Sequence, residues 1–199
     1  MAQAASAEAL QLKVKLLGFR PSIWRRVLVP GNFDLAKLHR VIQEAFGWED
    51  YHLHAFNIEG VEFGPPDPDG SMHCRSERIA LAELGLQPKT KFRYEYDFGD
   101  SWIHEITVEK IVVPQEPLKV PICLAGKRAC PPEDSGGPWG FQDMLEAACN
   151  PKHHDHEEFK EYLDPEWDSE AFHLEAVNAC LRSAFTPRAP RSTRKTTKA

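Results

Sequence analysis

Lys91-Phe92-Arg93-Tyr94-Glu95-Tyr96-Asp97-Phe98-Gly99-Asp100-Ser101-Trp102-Ile103-His104-Glu105-Ile106-Thr107-Val108, residues 91–108, alternates apolar and polar side chains on both sides of a Gly-Asp-Ser step. A period of two places successive side chains on opposite faces of a strand, so this stretch predicts a hairpin with one buried face, running to about Val113. The same pattern occurs earlier, where 11–19 and 23–29 flank Arg20-Pro21-Ser22 and predict a second hairpin. Connections this short join antiparallel neighbours, which makes a mainly antiparallel sheet the expected framework for 11–113.

A helix interrupts the strands. Asp34 is placed to cap it, Leu35, Leu38, Ile42, Ala45 and Phe46 recur at three- and four-residue spacing, and Gly47 supplies a stop. Residues 52–59 and 61–63 then read as extended, the Pro-rich run 65–70 as a loop, and 81–84 as one helical turn. From Pro114 to Pro138 six prolines and three glycines without periodicity predict a long irregular segment. Helical spacing returns at 141–149, 156–163 and 170–181, where Phe172, Ala176, Val177, Cys180 and Leu181 form a stripe expected to face the core. The fold class is therefore α+β: a mainly antiparallel sheet with packed helices and a helical C-terminal part.

Composition narrows the setting. At 199 residues with 42% hydrophobic and 27% charged side chains, the chain can bury a core without disulfides or metal, which excludes a fibrous or wholly disordered protein. Cys74, Cys123, Cys130, Cys149 and Cys180 are odd in number and irregularly spaced, unlike a secreted disulfide framework, and residues 1–10 lack a signal-peptide pattern. A cytoplasmic protein is expected. Its organisation reads as a flexible 1–10, one domain over 11–182, and a basic, disordered tail over 183–199. Six cations, from Arg182 to Lys198, fall in the last eighteen residues with no acid among them, leaving −12 for the rest. An acidic body repels phosphate, so weak, nonspecific nucleic-acid contact is expected only through the tail.

Five strings together resemble the plasmid ORF-3-like family, first named from a root-inducing plasmid. They are Ile23-Trp24-Arg25-Arg26, residues 38–48 (Leu38-His39-Arg40 through Phe46-Gly47-Trp48), His52-Leu53-His54-Ala55-Phe56, residues 96–104 (Tyr96-Asp97-Phe98-Gly99 through Ile103-His104) and residues 130–140 (Cys130-Pro131-Pro132-Glu133-Asp134 through Trp139-Gly140). The resemblance spans about 10–182 and implies an α+β fold of unassigned biochemical role. The family is also labelled a resolvase-like transposon passenger, which implies a link to mobile elements. Serine recombination needs a nucleophilic serine in an arginine-rich setting and a helix-turn-helix module. Here Ser6 lies among alanines, Ser22 lies in a turn, and the sequence displays no helix-turn-helix pattern, so recombination is not expected.

Several groups invite chemistry. His54 and His104 share parity with apolar neighbours on their strands, and either sit in the core as hydrogen-bonded histidines or line a pocket as metal ligands. Cys130, Glu133 and Asp134 lie in a loop stiffened by two prolines and freed by two glycines. That loop is expected to be ordered and packed near the Trp102 and His104 strand. Trp139 is its expected anchor, with Trp24, Phe46, Trp48, Trp102 and Trp139 all more than half buried. The Asp97-Phe98-Gly99-Asp100 string reads as a hairpin turn rather than a kinase motif. His153-His154-Asp155-His156 reads as a helix start capped by Asp155. Trp24-Arg25-Arg26 holds residues for base stacking, but its successive side chains alternate between faces. Two functions compete: a non-catalytic binding or accessory module with an unidentified protein partner, and a metal-dependent, hydrolase-like enzyme. In the second, His54, His104 and Cys130 hold a divalent transition metal, and Glu133 or Asp134 activates water.

Overall fold

A computed structural model describes residues 8–65, 74–163 and 167–186. Among the described residues eight strands form one sheet: β1 (Ala9–Leu16), β2 (Ile23–Pro30), β3 (His54–Ile58), β4 (Val61–Gly64), β5 (Arg75–Ser76), β6 (Lys91–Tyr96), β7 (Trp102–Val112) and β8 (Ile122–Lys127). Their order is β5-β4-β3-β6-β7-β1-β2-β8, antiparallel throughout except for the β4–β5 pair. The helices are α1 (Leu35–Phe46), α2 (Gly137–Cys149), α3 (His156–Tyr162) and α4 (Leu174–Phe185), and the expected turn appears as a 3-10 helix at Leu81–Glu83. The α+β reading holds, and among the described residues no helix is long and apolar enough to cross a membrane.

The deciding hairpin forms in the expected register, with Tyr96 opposite Trp102, Tyr94 opposite His104 and Phe92 opposite Ile106. All six are buried and face α1. Asp34 caps α1 by accepting the Lys37 amide at 2.9 Å, and Gly47 ends it in the left-handed conformation at φ 83°. Leu35, Leu38 and Ile42 are completely or almost completely buried, each contributing about 1.5–3 kcal/mol relative to exposure. Arg25 pins α1 to the sheet: its Nε donates to the Ala45 carbonyl (2.9 Å), and its Nη1 donates to those of Trp24 (3.0 Å) and Lys127 (3.2 Å). The guanidinium lies between the Phe46 and Phe172 rings, and burial lowers its pKa from the ordinary arginine value.

The opposite sheet face carries part-exposed side chains, Lys13 and Lys15 from β1 and Trp24 and Arg26 from β2. Trp24 and Arg26 thus share a face, and it is Arg25 that turns inward.

Three expectations are corrected. The segment 114–138 is not irregular throughout, since β8 adds to the free edge of β2. Its short Ile-Cys-Leu-Ala-Gly-Lys run gives little alternation to read, and the pairing with β2 supplies what local propensity lacks. The α4 stripe is rotated: Leu174, Val177, Asn178, Leu181 and Phe185 turn inward, whereas Ala176 and Cys180 are exposed. Asn178 faces the outer edge of β8, where its amide accepts from the Cys123 N–H (2.8 Å) and donates to the Cys123 carbonyl (3.0 Å). Trp139 is 80% exposed and anchors nothing. The loop is held instead by Trp48, whose indole donates to the Pro131 carbonyl at 3.0 Å. Trp48 packs on Trp102 and His104 at ring separations of 5.8 and 5.3 Å, so residues 130–140 do lie beside that strand. The basic tail lies outside the described residues beyond 186; residues 183–185 complete α4. Most of the 65–70 loop also lies outside them.

Candidate functional site

The 97–101 turn, the segment after α1 and the 130–140 loop meet at one end of the sheet. Asp97 sits at φ 56°, and its Oδ1 accepts the amides of Gly99 (2.9 Å) and Asp100 (3.4 Å), a side-chain-closed turn. Asp100 then accepts the Gly136 amide at 3.0 Å. Gly137, at φ 69°, lies so close to Asp100 that a side chain there would overlap the Asp100 carbonyl oxygen. Glu133 ties the loop down from the other side. It accepts from the Tyr96 hydroxyl and from the Glu49 amide (2.7 Å), while the Tyr96 oxygen accepts from the Tyr51 (2.9 Å) and His52 (3.3 Å) amides. Burial and the Glu133 contact raise the Tyr96 pKa well above the ordinary phenol value.

These amide contacts place His52 before β3, which begins at His54, and so release its side chain from the strand's alternation. It turns to the two carboxylates: His52 Nε2 lies 3.0 Å from Asp134 Oδ1 and 3.7 Å from Asp97 Oδ2. All three donor atoms fall within 4.8 Å of one another. His52 Nε2 is buried and makes no aligned hydrogen bond. Asp134, like Asp97, has φ 56°, a left-handed geometry that aspartate tolerates better than most residues, and its largely exposed carboxylate reaches His52 from the solvent side. A tetrahedral ion with bonds of about 2.1 Å places neighbouring ligand atoms about 3.4 Å apart, so the two distances bracket one edge of a coordination shell.

A second polar cluster lies in the interior. The His39 and His54 rings stack with centroids 3.6 Å apart and planes within 5°. His39 Nε2 meets Asp50 at 2.7 Å and its Nδ1 meets the Tyr94 hydroxyl at 2.8 Å, while His54 Nε2 meets Glu77 at 2.8 Å. Gln43 donates to Tyr94 at 3.0 Å. Burial, then the adjacent His54, lowers the His39 pKa to about 4, so the ring is neutral near pH 7. Burial raises that of Tyr94. These contacts satisfy most of the polar atoms of the cluster.

The residues singled out in the sequence are thus divided. His54 belongs to the stacked pair. His104 is fully buried, edge-on to Phe46 and Trp48, with Nδ1 donating to the Trp102 carbonyl at 3.1 Å, and burial lowers its pKa to about 3. Burial also pushes the Cys130 thiol well above its ordinary range, with nearby Arg25 opposing the shift. Among the described residues, His54, His104 and Cys130 do not form a close ligand group. Of the acids, Asp134 joins His52 and Asp97, whereas Glu133 is engaged in holding the loop. His153, His154 and Asp155 form another close group. There Asp155 makes no capping bond to α3 and meets His154 at 2.9 Å instead. His52, His39, Asp50, Glu77 and Tyr96 did not stand out in the sequence, because only the paths of the 48–53 and 74–80 segments bring them to partners.

Four of the five quoted strings contribute to this end of the sheet: 38–48 through Trp48, 52–56 through His52, 96–104 through Tyr96, Asp97 and Asp100, and 130–140 through Pro131, Glu133, Asp134 and Gly136. The family described as "Plasmid pRiA4b ORF-3-like protein" matches residues 8–176. The chain is 37% identical over 194 residues to an uncharacterized protein, y4hQ, of Sinorhizobium fredii (strain NBRC 101917 / NGR234), covering 96% of this chain and 99% of that one. It also resembles the crystal structure of MM3350, a protein of unknown function from Methanosarcina mazei Go1. That likeness has a TM-score of 0.76 and 35% identity over 84% of this chain and 96% of the other.

Proposed function

The chain belongs to the plasmid pRiA4b ORF-3-like family, and from that premise we propose that it is a binding module holding one divalent transition metal through His52 Nε2, Asp97 Oδ2 and Asp134 Oδ1. The observation that carries this is the convergence of one imidazole nitrogen and two carboxylate oxygens at separations suited to a shared ion, with His52 Nε2 otherwise unpartnered. A nitrogen and two oxygens suit zinc, manganese or iron(II) better than a soft copper(I) ion. The plasmid origin in the family's description supports an accessory role beside mobile elements.

A second reading, metal-dependent hydrolysis, is favoured by a groove of about 430 Å³ beside the same turn, lined in part by Gly99, Asp100, Ser101 and Trp139. Three protein ligands leave positions for water and substrate, and a bound ion would lower the pKa of that water.

Metal analysis of the purified chain after dialysis against zinc or manganese tests the shared premise. Asp97→Asn keeps an oxygen for the Gly99 amide and tolerates positive φ, so it preserves the turn while removing a ligand charge. The expected result is about one ion per chain for wild type and background for Asp97→Asn and Asp134→Asn. Background metal in folded wild-type protein would refute the site.

A further inference from the structure

We propose that the open face of the sheet binds single-stranded nucleic acid, with a base stacked on Trp24 and the backbone held by Lys13, Lys15 and Lys127. This goes beyond the metal site and does not depend on it. Strand register sets the surface: Lys15 lies opposite Trp24, Lys13 opposite Arg26, and Trp24 opposite Lys127 on β8. Directly paired residues share a face, so four cations surround one part-exposed indole on the β1–β2–β8 half of the sheet.

Among the described residues two carboxylates of β7 border this half, Glu105 directly opposite Lys15 and Glu109 near Lys13, and both are engaged. Glu109 takes the Arg26 guanidinium at 2.6 and 2.7 Å and the Gln11 amide at 2.6 Å, while Glu105 takes the Lys91 ammonium at 3.0 Å. The pairing register of β1 with β7 shifts at Gln11–Leu12, leaving Glu109 as the extra residue where it meets Arg26. Among the described residues no ion pair forms at Lys13, Lys15 or Lys127. Beyond these β7 carboxylates, a shallow depression of about 690 Å³ includes Lys89, Lys91 and Lys110 beside Arg26 and Glu109. On a chain of net charge −6, lysines thus outnumber carboxylates on this face.

The indole selects among polyanions. Lys13 Nζ and Arg26 Cζ lie 5.0 and 5.2 Å from the Trp24 ring centre. Lys13 sits on a flexible stem, so a base can take its place on the ring while the ammonium moves to a phosphate. Stacking on an aromatic side chain flanked by cations tolerates any base and gives salt-sensitive, sequence-indifferent binding. An acidic peptide satisfies the cations but has no use for the ring.

The test is fluorescence anisotropy of a labelled oligothymidylate with the full chain across a salt series. Variants are Lys15→Glu/Lys127→Glu, Trp24→Leu and a chain ending at residue 186, each checked by circular dichroism. The double charge reversal is expected to weaken binding at least about tenfold and to flatten the salt slope. Trp24→Leu is expected to weaken it about tenfold, and truncation is expected to leave most of it. The exposed lysine pair keeps the test valid if Trp24→Leu does not fold. Absence of wild-type binding, loss on truncation alone, or a poly-glutamate competitor as effective as the oligonucleotide would each overturn the proposal.

Discussion

Replacing His104 by Phe should remove about half of a large acid sensitivity. In the fold the His39 and His104 rings titrate at about 4 and about 3, against about 6.5 when unfolded, because burial disfavours the charged form. Protons therefore bind the unfolded chain more tightly. Stability is full above pH 6.5, falls as pH drops below it, and the loss saturates as each folded pKa is passed. At pH 5 the gap from 6.5 corresponds to about 2 kcal/mol for each ring, or about 4 kcal/mol together. That is a large part of the roughly 5–15 kcal/mol that holds a typical domain. His104→Phe keeps the ring contacts with Phe46 and Trp48, gives up one bond to the Trp102 carbonyl, and removes Nε2, a buried nitrogen without a partner. Its stability at pH 7.5 should therefore lie within about 1 kcal/mol of wild type. Urea denaturation at pH 7.5 and 5.0 measures both quantities, and the difference between the two proteins cancels the other histidines. Wild type should lose about 2 kcal/mol more than the variant on acidification. An equal loss in both would refute the assignment of His104 as a ring kept neutral by burial.

Three further outcomes concern the 130–140 loop and the strand beside it. Gly137→Ala should cost about 2 kcal/mol or more, since the methyl meets the Asp100 carbonyl and φ is 69°; thermal unfolding should show the loss. Trp139→Ser should change the unfolding midpoint little, as a side chain 80% exposed contributes little burial, whereas Trp102→Ala should cost about 3–5 kcal/mol.

Much of the fold could be read from local pattern because its strongest elements report their own burial. Alternation over 91–108 placed Tyr94, Tyr96, Trp102 and Ile106 inside, and three-to-four spacing placed Leu35, Leu38 and Ile42 on the buried face of α1. Where pairing comes from a distant strand, as at β8, the local signal was too weak. The site divided in the same way. Asp97, Asp100, Glu133 and Asp134 stood in turn-forming strings that could be recognised, but the histidine that meets two of them could not. Alternation put His52 in a strand with His54, while the Tyr96 hydroxyl captures the amides of residues 51 and 52 and keeps that segment out of the ladder. Trp139 misled for a related reason: backbone approach at Gly137 positions its helix, so a large apolar side chain was not needed as an anchor.

The amide of Asn178 has a consequence for how the chain is made. It holds both backbone groups of Cys123, a residue 55 positions earlier, on the outer edge of the last strand. An open strand edge is a template for any other extended chain. During synthesis β8 can add to β2 well before residue 178 has left the ribosome, so for the time needed to make those residues the growing chain exposes an uncapped edge. Chains that stall or are cut in that interval should aggregate through β8, and a finished chain whose α4 docks should not.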